Sequence, residues 1–116
     1  MTIERFATGP RMSQAVVHGD TVYLAGVVAD KTAHEGVAEQ TKEILSIIDS
    51  HLAKAGSEKA KLLSATIYLA DIATFQEMNA AWDVWISSGN TPARATVEAN
   101  LAGAQYKVEI MVVAAR

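Results

Sequence analysis

The chain contains no cysteine, which excludes disulfide staples and thiolate catalysis. Only two prolines interrupt it, and no low-complexity run is present. No apolar stretch approaches the roughly 20 residues that a membrane-spanning helix needs. The opening residues, MTIERFATG, mix acid and base without an apolar core, unlike a secretion signal. Basic side chains number 10 against 13 acids, a net charge of −3. The electrostatic footprint of a nucleic-acid binder is therefore missing. There is no glycine-rich phosphate loop, since Gly26 stands alone. His18, His34 and His51 lack the spacing of metal ligands, and Ser13 has no histidine at triad spacing. These absences describe a soluble, cytoplasmic chain with no nucleic-acid or membrane partner.

What is present is an ordinary core. Half of the 116 residues are hydrophobic, enough for a single domain over residues 1–116. QAVVHGDTVYLAGVVAD reads as two strands around a His18-Gly19-Asp20 hairpin turn. Ala38, Thr41, Leu45, Ile48, Leu52 and Ala55 then recur at helical spacing, and Gly56 supplies a stop. LLSATIYLAD is rich in β-branched and aromatic residues, as a strand requires. Phe75, Met78, Trp82, Trp85 and Ile86 form the stripe of a second helix. Thr74 and Glu77 offer it a capping box, and Gly89 a stop. TPARATVEA and YKVEIMVVAA complete the series as strands, giving an α+β order β-β-α-β-α-β-β.

Two helices cover only one face of a sheet of about five strands. Yet the last strand is apolar on both sides, with Ile110 and Val112 on one face and Met111 and Val113 on the other. Nothing in this chain remains to cover the second face. The expectation is a homo-oligomer in which copies cover one another.

Two charged residues break the pattern. Arg94 follows Pro92 closely at the start of a strand, and Glu109 interrupts an apolar run. Two readings stand side by side. The pair is structural, with Glu109 meeting Lys107 or Arg94, or it borders a pocket in which Arg94 forks onto a ligand carboxylate. Asn79, Trp82 and Trp85 read first as a satisfied amide and core rings.

Taken in order, Gly9-Pro10 with Ser13-Gln14-Ala15-Val16, then VYLAG, LLSATIYLADIATFQEMNAAW, PARATVEA and KVEIMVVAA resemble the RidA/YjgF family of small trimeric enamine/imine deaminases. The resemblance covers nearly the whole chain. It implies a chorismate-mutase-like fold, a homotrimer with a central barrel, and pockets between subunits. It implies that Arg94 holds a substrate carboxylate, that Glu109 handles the water or proton, and that Asn79 lies near the pocket. The backbone at Ala25 and Gly26 would form its wall. Arg11 and Met12 stand where the family carries a tyrosine. Ala25 replaces a serine, and Thr96 replaces a cysteine or other small residue. Losing the phenol and the hydroxyl points to apolar substrate side chains rather than the smallest ones. The implied reaction is hydrolysis of a 2-enamine or 2-imine acid to ammonia and a 2-keto acid, without metal or cofactor. The alternative is a trimer of the same fold that binds small carboxylates or protects proteins without catalysis. RNA cleavage, ascribed to some relatives, conflicts with the acidic balance and the lack of a histidine pair.

Overall fold

The computed structural model describes residues 1–116. In chain order the strands and helices are β1 (Ile3–Thr8), β2 (Ser13–His18), β3 (Thr21–Leu24), α1 (Val37–Lys54), β4 (Leu62–Leu69), α2 (Phe75–Trp85), β5 (Ala93–Glu98) and β6 (Val108–Ala115). The strands form one sheet in the order β1-β2-β3-β6-β4-β5. Only β4 and β5 are parallel. A parallel pair needs a crossover, and α2 lies between them in sequence to supply it. No helix is long and apolar enough to cross a membrane.

The sheet has one strand more than the expected five. β1 pairs antiparallel with β2 along the sheet edge. Its physical reason for being missed is burial: within IERFAT only Phe6 is even partly covered. A strand that buries one side chain carries no alternating apolar signal. The other expected elements are present, with Gly19 at a φ of +62° in the β2–β3 hairpin.

α1 is built from its stripe. Val37, Gln40, Thr41, Ile44, Leu45, Ile48 and Leu52 are buried. Its C-terminus is closed by a Schellman motif, as Gly56 promised. The Ser57 N–H donates to Leu52 O at 2.8 Å, and the Gly56 N–H donates to Ala53 O at 3.1 Å, with Gly56 at a φ of +82°. α2 buries Met78, Ala81 and Trp82, with Phe75, Trp85 and Ile86 packed against the core.

The expected Thr74–Glu77 capping box does not form. Thr74 does hold the N-cap position of α2, but a 3-10 turn over Ile72–Thr74, capped by Asp71, leads into it. The Asp71 carboxylate accepts the Ala73 N–H at 2.9 Å, and the Thr74 hydroxyl donates to Asp71 O at 2.6 Å. Gly89 is not the helix stop either. α2 ends at Trp85, and Gly89 turns the loop beyond it at a φ of +81°.

Both helices contribute to one core with the same face of the sheet. On β6, Val108, Ile110, Val112 and Ala114 are at most 1% exposed, while Glu109, Met111 and Val113 face the other way. The helix-free face presents Tyr23, Leu63 and Met111, each at least 39% exposed. Gln40 is the one large polar side chain fully inside the core. Its Nε2 donates to Glu35 O and Gln105 O, both at 3.0 Å, and its Oε1 accepts the Lys107 N–H at 2.8 Å. That satisfied amide ties α1 to the segment entering β6. The loop before α1 is held as well. Glu43 accepts from the Thr32 N–H and hydroxyl, both at 2.7 Å, and Tyr106 donates to Asp30 at 2.6 Å.

Candidate functional site

Arg94 stands in β5 opposite Ala65 of β4. Ala65 is buried on the helix-bearing face, so the Arg94 side chain rises on that face, at the sheet edge and beside α2. There it is held from two directions. Its Nη2 donates to Asn79 Oδ1 at 2.8 Å. Its guanidinium carbon lies 5.2 Å from the Trp82 ring centroid and 5.9 Å from that of Phe75. Phe75, Asn79 and Trp82 share one side of α2 because they are spaced by four and three residues. A guanidinium over aromatic faces is attracted by their negative centres. No carboxylate pairs with Arg94: the ion pairs of the chain are Lys42–Glu39 and Arg116–Glu4. An open cleft of about 330 Å³ lies beside it, lined also by Gln76, Asp83 and Thr91. Two residues along β5, the Thr96 hydroxyl is buried without a hydrogen-bond partner.

Glu109 occupies the opposite face. Its neighbours Val108 and Ile110 are both 0% exposed toward the helices, so its side chain projects from the helix-free side. It stands opposite Tyr68 of β4. A cleft of about 270 Å³ opens there, lined by Tyr68, Asn100, Leu101, Glu109 and Met111. The Glu109 carboxylate lies against Gly26 so closely that a Cβ at Gly26 would collide with it. A side chain at Gly26 would thus push the Glu109 carboxylate aside, while the backbone there has no special φ. The backbone there is fixed on both sides. The Ala25 N–H donates to Gln14 O at 3.0 Å, and Val27 exchanges hydrogen bonds with Ile110 at 2.9 and 3.1 Å. Met12, 47% exposed, lies just before β2, two residues from Gln14.

The candidate residues thus fall into two groups. Arg94, Asn79 and Thr96 belong to β5 and the α2 side. Glu109, Ala25 and Gly26 meet on the helix-free side. The alternative of an Arg94–Glu109 ion pair inside one chain is overturned, because the sheet lies between them; Glu109 makes no ion pair with Lys107 either. Asn79 is a satisfied amide, but its partner is Arg94 itself. Trp82 is both core and platform, 4% exposed and beneath the guanidinium. Gln40 escaped sequence reasoning, although an amide inside the apolar stripe 37-40-41-44 was a usable signal. The three histidines lie apart, at the end of β2, in the loop before α1 and on α1. Burial, and then the nearby Lys54, holds His51 below the usual histidine range.

Comparison with known proteins places the chain. The family model described as endoribonuclease L-PSP matches residues 2–116. A protein of Escherichia coli K12 named RutC family protein YoaB is 46% identical over 115 residues, covering 99% of each chain. The human 2-iminobutanoate/2-iminopropanoate deaminase is 32% identical over 113 residues, covering 93% of this chain and 81% of that one. A crystal structure of a YjgF family member from Neisseria meningitidis superposes with a TM-score of 0.97 at 45% identity, covering 100% of this chain and 96% of that one. With a match along almost its entire length, a shared six-stranded, two-helix fold and relatives this similar, the chain belongs to the endoribonuclease L-PSP family, the RidA/YjgF family.

Proposed function

We propose that the protein hydrolyses reactive 2-enamine and 2-imine acids to ammonia and 2-keto acids. One observation carries the reading. Arg94 is oriented by Asn79 and two rings yet has no carboxylate partner in its own chain. A held guanidinium fork with free donors suits a planar carboxylate ligand. The deaminase names carried by the human, bovine and Arabidopsis relatives support the same chemistry.

The two faces of the sheet then require a second chain. We infer a homotrimer in which the helix-free faces, with Tyr23, Leu63 and Met111, cover one another. Arg94 of one copy and Glu109 of a neighbour would border a shared cleft. The enamine first tautomerises to the imine. Arg94 holds the carboxylate. Glu109 accepts a proton from the attacking water, whose oxygen bonds to the imine carbon. That proton passes to the nitrogen to give the carbinolamine; its hydroxyl proton then moves through Glu109 to the amine, the carbon–nitrogen bond breaks, ammonia leaves and the carbonyl of the keto acid forms. No step calls for a redox change. Met12 and Ala25 would line this shared cleft, which would favour apolar side chains.

The direct test is a coupled assay in which an amino-acid oxidase generates imines from alanine, leucine and methionine. The protein should accelerate ammonia release, and more strongly for leucine and methionine than for alanine. Carboxylate binding by calorimetry without any acceleration would instead mark a non-catalytic carboxylate-binding trimer. RNA cleavage receives no support from the site, because the net charge is −3 and the histidines lie on separate elements.

A further inference from the structure

α1 and α2 pack together on the covered face, but the seam between them is not filled. Ala38, Ala80 and Ala81 line it, and such small side chains leave space. The result is a groove of about 600 Å³, walled by Leu45, Val84 and Trp85 and bordered by Lys42 and Lys59. That size falls within the ~300–1,000 Å³ of small-molecule pockets. The Trp85 wall is preformed: its indole N–H donates to Asp49 at 2.9 Å, and its ring packs 5.4 Å from Trp82 at a tilt of 59°.

The charged residues lining the groove are Lys42 and Lys59, with the Asp49 carboxylate behind the Trp85 indole. No acid lines it. Glu39 is engaged with Lys42 at 3.4 Å, and Asp49 with the indole. The Lys59 ammonium sits 5.4 Å from the Trp85 ring centroid and pairs with no carboxylate. A cation parked on a ring beside an apolar slot can exchange that weak contact for an anion while the slot buries the anion's apolar body.

We propose that this groove is a second ligand site, independent of Arg94 and Glu109, for a small apolar monoanion: a ring or short chain ending in a carboxylate. The apolar body lies along Leu45, Val84 and Trp85, and the carboxylate meets Lys59. Neither the helix-free face nor the Arg94 cleft takes part, so the site does not depend on the proposed reaction.

The probe is 4-phenylbutyrate, compared with 4-phenylbutylamine, in protein carrying Arg94→Ala so that the other cleft cannot contribute. The readout is the Trp85 indole N–H signal in nitrogen-edited NMR, assigned with Trp85→Phe. The acid should shift this signal saturably, and the amine should bind more weakly or not at all. Lys59→Glu should weaken the acid by up to about fivefold, since an exposed ion pair contributes up to ~1 kcal/mol. Ala80→Phe, placed at an exposed helix position, should fill the groove and abolish binding. A shift that does not saturate, an amine that binds as tightly as the acid, or full binding by a folded Ala80→Phe protein each overturns the proposal. If Ala80→Phe does not fold, unchanged affinity in Lys59→Glu overturns it equally.

Discussion

The two faces of the sheet use the same strands to opposite ends. Toward the helices, β6 offers Val108, Ile110, Val112 and Ala114, all essentially out of contact with solvent. From the other side of the same eight residues come Glu109, Met111 and Val113, which a single chain leaves partly open. Composition barely separates the two sets. The difference lies in what each face meets: one is filled by α1 and α2, and the other still needs a cover. A continuous apolar strand is the mark of a sheet buried on both sides. The helix-free face therefore carries the sequence of an interior, and in the proposed trimer a neighbour would complete the surroundings that Gly26, Tyr68 and Met111 begin around Glu109.

Paired truncations on the two faces should break or sharpen this contrast most. Ile110→Ala removes a side chain 0% exposed in the core and should cost ~2–5 kcal/mol, read by urea denaturation. Met111→Ala, 39% exposed, should cost far less within a chain but weaken association, read as a lower particle mass on dilution by sedimentation. A parent that sediments as a single chain would make the helix-free face plain surface and defeat the trimer, and a trimer unchanged by Met111→Ala would take Met111 out of the interface.

The acid of the open face comes next. Glu109→Gln should slow turnover ~10²–10⁴-fold, with product affinity and melting temperature close to the parent's. Gly26→Ala should reproduce the slowing, because the new Cβ displaces the same carboxylate. Full turnover in both variants would make Glu109 structural.

On the helix side, Arg94→Ala should weaken binding of a 2-keto acid by roughly ten- to a hundredfold, in line with ~1.5–3 kcal/mol for hydrogen bonds to charged groups. Arg94→Lys should recover little, since a point charge cannot replace a fork. Calorimetry reads both, and unchanged affinity in Arg94→Ala would move the carboxylate site elsewhere.

The smallest effect concerns the latch over the covered face. For Glu43, burial pushes the carboxyl up, but the Thr32 hydroxyl and the Lys31 and Thr32 N–H groups outweigh it, so the net shift is below the ordinary carboxylate value. A carboxyl that is more acidic when folded adds stability above its unfolded value and loses it as pH falls through the lowered folded one. Acidification should therefore reduce the parent's melting temperature slightly more than that of Glu43→Gln. Identical pH profiles would show that the latch contributes nothing.

Much of this was legible in the residues. The helical spacing of α1, its glycine stop, the hairpin at Gly19 and the two-sided apolar character of β6 are local patterns, and the structure keeps them. Elements that bury little were not legible, as β1 shows with its single covered Phe6. The start of α2 after Thr74 was legible, but its capping box does not form, because a 3-10 turn capped by Asp71 leads into the helix and engages the Thr74 hydroxyl. Gln40 looked like one polar residue on a helix until three backbone partners, Glu35 just before α1 and the distant Gln105 and Lys107, enclosed it.

By itself the sequence determined which side chains share a face within each strand, because alternation along a strand is fixed by backbone geometry. It placed Arg94 with Thr96 and Glu109 with Met111, and it marked the last strand as apolar on both faces. Only the tertiary structure decided how those faces relate between strands. Strand order and register are long-range choices, made when β6 inserts between β3 and β4 and β5 joins β4 in parallel. Those pairings turn Arg94 toward α2 and Glu109 away from it. That is the physical reason two residues that looked like partners in the sequence stand on opposite sides of one sheet.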